Sequence, residues 1–399
     1  MNAADKTGAK RLEGMYFSPI RQVMEKVAKV REAGHPVISL SAGEPDFNTP
    51  NLIKEKTIEA LLQNETHYAP NRGTLGLRTE IAKYLRRNFD LNYDPATEVL
   101  LTCGGAEAVN VAFMTTIDQG DEVIVFTPAF MNYENMIAEA GGVMVPIPLR
   151  AEDGFQINCD ILAQHITPKT KMIVINNPCN PTGIVYSRQT LEGVAKLCVE
   201  HNILVFSDEI YNKIVYDGTE CCSIATLPGM RERTITMNGF SKAFAMTGWR
   251  MGYLAAPAEM TNDLLKIHQY TTTCISTFSQ IGVERSMNAP ETEAEVDKMI
   301  KAFARRRSLV MSKLDKIPGL SYIEPKGAFY IFVDVSGTGL NGDDFAARLL
   351  EEKFIAMNIP YKIVGGVNFY ARREIKDLLA YLKTIDNGRD DVAVRRIIN

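Results

Sequence analysis

The sequence predicts an α/β protein: a mainly parallel, seven-stranded sheet wrapped by helices, joined to a smaller, discontinuous α+β domain. Three observations predict it. Short apolar runs alternate with helix-length periodic segments from about residue 98 to 256, the rhythm of strands linked by crossover helices. Several of these runs end in Asn, Asp or Gly turns, at the strand ends where open parallel sheets hold their ligands. After residue 257 the alternation stops and long helical periodicity replaces it.

Taken in order, the strand candidates are 98–103, 121–127, 143–149, 171–176, 203–207, 234–237 and 251–255. Each is an apolar run of strand length bounded by turn residues. A helix is expected from about Ala106, after Gly104-Gly105. Another is expected over Ser187–Asn202, where Leu191, Val194, Ala195, Leu197 and Cys198 share one face. A long helical stretch runs from about Ser276 to Ile317, interrupted at Pro290. Leu320-Ser-Tyr-Ile-Glu and Gly327-Ala-Phe-Tyr-Ile-Phe-Val-Asp334 then read as paired strands. We therefore expect a large domain over 50–290, and a small one built from 1–49 and 291–399, atypical after about 357.

The composition bounds the function. A chain of 399 residues can bury a large core in two domains. Hydrophobic content of 46% and charged content of 23% are ordinary globular values. A net charge of −4 argues against a nucleic-acid surface. No stretch approaches a membrane span. The first residues, Met1-Asn-Ala-Ala-Asp-Lys, carry no apolar signal core, so a cytoplasmic protein is expected. Seven scattered cysteines with no CxxC pair read as reduced thiols, and no His/Cys cluster suggests a metal.

The chemistry concentrates in a few segments. Asn238-Gly-Phe-Ser-Lys-Ala-Phe-Ala-Met-Thr-Gly-Trp-Arg250 sets Lys242 among Phe240, Phe244, Met246 and Trp249. A desolvated lysine loses its proton readily and becomes a nucleophile towards aldehydes. Pyridoxal phosphate is such an aldehyde, and Arg250 suits its phosphate. A solvated loop lysine is the plain alternative. Ser207-Asp-Glu-Ile-Tyr211 follows the apolar run Ile203-Leu-Val-Phe206, which puts Asp208 at a strand end. A carboxylate there can keep a pyridine nitrogen protonated. Tyr211 and Asn180, the latter in Asn176-Asn-Pro-Cys-Asn-Pro-Thr-Gly183, are suited to a ring oxygen. Gly104-Gly105-Ala106 opens a helix whose free N–H groups suit a phosphate. Phe130, in Thr127-Pro-Ala-Phe-Met-Asn-Tyr133, can stack on a ring or serve as a core aromatic.

With those segments the chain resembles the class I and II aminotransferases, pyridoxal-phosphate enzymes of fold type I, from about Ser18 to about Val335. Further anchors are Ser41-Ala-Gly-Glu-Pro-Asp-Phe47 and His67-Tyr-Ala-Pro-Asn-Arg-Gly73. The resemblance implies that Lys242 carries the cofactor as an aldimine and shuttles the substrate proton. It implies that Asp208, Tyr211 and Asn180 tune the ring and that Phe130 stacks on it. Gly105, Ala106, Ser241 and Arg250 would hold the phosphate. Tyr68 would reach the phosphate of a neighbouring subunit in a homodimer with shared active sites. Gly43 would approach the substrate carboxylate. The implied reaction is transamination between an L-amino acid, aspartate by resemblance, and a 2-oxo acid such as 2-oxoglutarate.

The C-terminal region departs from the pattern. Asn358-Ile-Pro-Tyr-Lys-Ile-Val-Gly-Gly-Val-Asn-Phe-Tyr370 fits the family poorly. Arg395 or Arg396, in Val394-Arg-Arg-Ile-Ile-Asn399, loosely matches the arginine that pairs with the substrate carboxylate. Two solvated arginines in a frayed tail are the competing reading. Arg372 and Arg373 are weaker candidates. Other functions on the same cofactor stay open: a C–S lyase, a decarboxylase, or a cofactor-binding protein without efficient catalysis.

Overall fold

The structure, a computed structural model, describes residues 43–346 together with 8, 9, 12, 15, 28, 32 and 348. The described residues fall into two compact units. Gly43–Ile317 with Ser321–Val333 belongs to the first, and Pro318–Leu320 with 334–346 to the second. The tail arginines Arg372, Arg373, Arg395 and Arg396 lie outside the described residues.

The first unit starts with helices α1 (Asn51–Leu62) and α2 (Leu75–Phe89). Then come β1 (Val99–Thr102), α3 (Gly104–Thr116), β2 (Glu122–Thr127), α4 (Asn132–Glu139) and β3 (Val143–Pro148). The series continues with α5 (Cys159–His165), β4 (Thr170–Asn176), α6 (Arg188–Glu200), β5 (Leu204–Asp208), β6 (Thr234–Gly239) and β7 (Gly252–Ala255). Helices α7 (Ala258–Thr271), α8 (Thr277–Glu284) and α9 (Pro290–Leu314) follow. A strand stands at each of the seven predicted places. The predicted break at Pro290 is the start of α9, with the proline in the first turn, where its missing N–H costs nothing.

The seven strands form one sheet in the order β1-β7-β6-β5-β4-β2-β3. The β6-β5-β4-β2-β3 pairings are parallel, and β7 is antiparallel to both β6 and β1. The apolar runs are continuous because both faces are covered. Ile173 and Ile175 of β4 join the same cluster as Leu191, Val194, Ala195 and Cys198 of α6. Met172 and Val174, alternating with them, join the cluster of Val109, Ala112 and Phe113 from α3. The predicted face of α6 is therefore its buried face, and Ser187 caps the helix by accepting from the Thr190 N–H.

Strand direction gathers the functional segments at one edge. Asn176 pairs with Asp208, and Asp208 with Met237. Thr102 and Gly239 both pair with Gly252, so β1 and β6 end side by side. The carboxyl ends of β1, β2, β4, β5 and β6 thus face the same way.

One predicted pairing is shorter than expected. Instead of two full strands over 320–334, β8 (Ser321–Tyr322) pairs with β9 (Val333–Asp334). The intervening backbone bonds elsewhere. Lys326 and Gly327 donate to the Gly183 carbonyl, and Ala328 donates to that of Ile214. Ala328 takes a positive φ of 54°. These bonds draw the segment down onto the 183 and 214 turns and bring Tyr330 to the strand ends.

Candidate functional site

Asp208 ends β5 and is 4% exposed. Its Oδ2 accepts a 2.6 Å hydrogen bond from the Tyr133 hydroxyl, and its Oδ1 accepts from the Ile210 N–H at 3.2 Å. Burial pushes its carboxyl up to about 6, against the pull of those two bonds and of the Lys242 charge. Its backbone is fixed as well. The Asp208 carbonyl accepts from the Asn176 side-chain amide at 3.1 Å and from the Asn177 N–H at 3.0 Å.

Lys242 follows the end of β6, where the chain turns through Ser241. Its sequence neighbours Phe240, Phe244 and Met246 are buried in a core cluster, and Trp249, also expected to be interior, is only partly buried against it. The half-buried amine donates to the Gly43 carbonyl at 2.5 Å. It stands 5.8 Å from the Tyr211 ring centre and 5.7 Å from that of Phe329. Burial pulls its pKa down to about 8; Glu44 and Asp208 oppose this and Arg250 assists it. An amine that is partly unprotonated near neutral pH can act as nucleophile and as proton carrier.

Tyr211 is 3% exposed, and its hydroxyl is 2.6 Å from that of Tyr330. Burial pushes the Tyr211 hydroxyl well above its ordinary pKa, and the nearby Asn180 side chain opposes that push. Asn180 is itself held by its N–H, which donates to Asn176 Oδ1 at 2.6 Å. Phe130 packs edge-on against Tyr133 with ring centres 5.7 Å apart. Gly43 lies so close to Tyr330 that a Cβ there would stand 2.4 Å from the phenol oxygen.

Gly104, Gly105 and Ala106 form the first turn of α3, and Cys103 ahead of them makes no side-chain cap hydrogen bond. The first N–H groups of the helix are therefore open to a ligand. Gly104 has φ +76°, and a Cβ on it would stand 2.6 Å from the Arg250 guanidinium. Arg250 is oriented by a 3.0 Å bond to the Thr247 carbonyl. Ser241 is 8% exposed, whereas Tyr68 is 88% exposed.

Two side chains at this edge carry no role in the sequence reading. Tyr133 is 1% exposed and bonded to Asp208; Tyr330 joins Tyr211. The available signal for Tyr133 was its place three residues after Phe130, on the buried side of a short helix. Among the described residues no group of His, Cys, Asp and Glu could hold a metal ion.

Comparison with known proteins follows the same lines. The family model for aminotransferase class I and II matches residues 35–363. A second model, the UvrD-like helicase C-terminal domain, matches residues 342–399. The chain is 41% identical over 347 residues to an aspartate aminotransferase of Pyrococcus abyssi, covering 87% of this chain and 88% of that one. It is 40% identical over 342 residues to aromatic-amino-acid aminotransferase 2 of Thermococcus litoralis, covering 86% and 87%. Among solved structures, it superposes on the aspartate aminotransferase of Thermus thermophilus with maleate at a TM-score of 0.83. That pair shares 38% identity, over 87% of this chain and 90% of the other.

Proposed function

We propose a reaction and a set of residue roles for this chain, which belongs to the class I and II aminotransferases and so uses pyridoxal 5′-phosphate. It transfers the amino group of an L-amino acid, with aspartate the preferred donor, to a 2-oxo acid such as 2-oxoglutarate. The observation that carries this reading is the geometry at the strand ends: the Asp208 carboxylate, buried at the end of β5 and held by the Tyr133 hydroxyl, faces the same edge as the half-buried Lys242 amine beyond β6. Burial lowers the Lys242 pKa to about 8, which suits an amine that must act as nucleophile and proton carrier near neutral pH. The aspartate preference is supported by two of the three proteins named above, one of them solved with the dicarboxylate maleate; the third, at 40% identity, is an aromatic-amino-acid aminotransferase.

The residues present fit the cofactor's chemistry. When bound, it supplies an aldehyde that takes up the amino group and a ring that accepts electrons as the α-proton leaves. Lys242 would hold the cofactor's aldehyde carbon through its amine and, once freed, would carry the substrate's α-proton. Asp208 would pair with the ring nitrogen, its carboxylate aligned by the Tyr133 hydroxyl. Tyr211 and Asn180 would hold the ring oxygen, and Phe130 would pack on the ring. The N–H groups of Gly105 and Ala106, the Ser241 hydroxyl and the Arg250 guanidinium would bind the phosphate. Gly43 leaves room for the substrate carboxylate.

The catalytic assembly is a homodimer in the cytoplasm. Its support is Tyr68 at 88%, Tyr270 at 89% and Leu62 at 78% exposure, large apolar groups with no cover in the single chain. Tyr68 would bind the phosphate in the partner subunit. No helix among the described residues is long and apolar enough to cross a membrane. The cofactor-binding domain is proposed over 50–290; the first compact unit also takes in 43–49, 291–317 and 321–333, which the sequence reading gave to the small domain.

The match of residues 342–399 to the helicase model supports a second reading of the substrate side alone. On the first reading, Arg395 or Arg396 clamps the α-carboxylate. On the second, this stretch takes its sequence from another family and supplies no clamp. Deleting 392–399 separates them: a higher donor KM with lower kcat supports the clamp, and unchanged kinetics removes it. The overall reaction is tested by mixing the cofactor-loaded enzyme with each amino acid in turn and following the cofactor absorbance. Aspartate should convert it to the amine form with release of the 2-oxo acid. Carbon dioxide or a thiol as product, without conversion, would point to a decarboxylase or C–S lyase.

A further inference from the structure

Glu107 stands in the first turn of α3, next to Ala106, with its side chain 8% exposed. Its two oxygens are fully assigned. Oε2 accepts from the Cys103 N–H just ahead of the helix. Oε1 accepts from the Thr272 hydroxyl at 2.6 Å and bonds His268 Nδ1 at 2.9 Å. His268 is in the last turn of α7 and Thr272 directly follows that helix. One carboxylate thus ties the start of α3 to the end of α7. The tie extends further, because Asn71 donates to the Thr273 carbonyl at 2.9 Å and so anchors the turn that carries Tyr68.

The protonation pattern follows from satisfaction. His268 is fully buried and its Nε2 has no hydrogen-bond partner among the described residues. A buried N–H without an acceptor costs more than a bare lone pair. Of the two single-proton tautomers, the one with its proton on Nδ1 donates to Glu107 and leaves no buried N–H unpaired. Burial raises the Glu107 pKa, but the bonds from His268, Thr272 and Cys103 outweigh it and hold the carboxyl below its ordinary value. The group is an ionised carboxylate at neutral pH.

Its placement solves a conflict at this helix start. An ordinary N-cap side chain would occupy the N–H groups two or three residues into the helix. Those are the groups of Gly105 and Ala106. Glu107 instead reaches back to the Cys103 N–H, in the manner of the second half of a capping box, and spends no donor that a ligand needs.

We propose that Glu107 is the positioning residue of the phosphate cradle: braced by His268 and Thr272, it caps α3 from within and holds the Gly105 and Ala106 N–H groups free and aimed at the phosphate. This rests on the reading above that these groups bind the cofactor phosphate. The test compares pyridoxal phosphate with pyridoxal, which lacks the phosphate. Dissociation constants are measured on the apoprotein by quenching of Trp249, the chain's one tryptophan, next to Arg250. The wild type should prefer the phosphate form strongly. E107A should lose about tenfold or more of that preference, and T272V about threefold, at little change for pyridoxal. E107Q, which keeps an acceptor for Cys103, should recover most of the loss. T272V removes one hydroxyl at a half-buried site and guards against a folding defect in E107A. A wild type that binds both ligands equally defeats the cradle reading itself. A wild type that prefers the phosphate, with that ratio unchanged in E107A and T272V, overturns the role of Glu107.

Discussion

Removing one hydroxyl, by Tyr133→Phe, tests whether the electrostatics of Asp208 are built as described. The Tyr133 bond to Asp208 Oδ2 is 2.6 Å long and buried. Bonds of a neutral donor to a charged acceptor contribute about 1.5–3 kcal/mol, equivalent to about one to two pK units. The Asp208 carboxyl sits at about 6 rather than 3.8, because burial disfavours its charge. Its folded value is above its unfolded one. The apoprotein therefore holds the full contribution below about pH 3.8 and loses it as the pH rises through about 6. The ionised carboxylate then costs about 3 kcal/mol at pH 7.5. Tyr133→Phe should deepen that loss by about 1.5–3 kcal/mol and carry the falling limb up by one to two pH units. Asp208→Asn keeps the shape and removes the charge, so it should stabilise the apoprotein at pH 7.5. In that background Tyr133→Phe should cost only about 1 kcal/mol, as for a neutral bond. The assay is urea unfolding of the four apoproteins at pH 4.5 and 7.5, read as a double-mutant cycle. An equal cost of Tyr133→Phe with and without Asp208, at both pH values, refutes the reasoning.

Three further outcomes are expected. Lys242→Ala should still bind the cofactor, but borohydride should no longer fix it to the protein; a covalent adduct in that variant rules out the Schiff-base role. Gly104→Ala must place its Cβ where the Arg250 guanidinium lies, at 2.6 Å, on a backbone with φ +76°; cofactor affinity should fall about tenfold or more by equilibrium dialysis, and wild-type affinity would show that Arg250 is not needed there. Tyr68→Phe should weaken the cofactor several-fold in a protein that light scattering finds dimeric, whereas a fully active monomer would defeat the shared-site arrangement.

The sheet was legible because its signal is local. Met172-Ile-Val-Ile175 and Ile203-Leu-Val-Phe206 are apolar on both faces, and only a sheet covered on both sides needs that. That Asp208, Asn180 and Lys242 come to one edge of the sheet was legible because each sits at or shortly after the end of a predicted strand. Tyr133 was not. A tyrosine on a short amphipathic helix reads as core, and its partner lies 75 residues away on another strand. The same holds for His268 and Glu107, which are 161 residues apart in the chain. The segment over 320–334 misled for a related reason. Its alternating aromatic residues suit a strand, but the Gly183 and Ile214 carbonyls compete for its N–H groups, and nothing in the local sequence reports that competition.

The one-sided edge of the sheet has a consequence for how such a protein can change. Every group assigned to the cofactor stands at or just beyond a strand's carboxyl end, apart from those on the turns before β1. Loops at the opposite edge, such as 118–121 and 166–169, carry none of them. Substitutions there are far enough from the chemistry for their effects on stability to add independently. Selection, or an engineer, can harden the molecule from that side and redraw donor preference from the other, with little trade between the two.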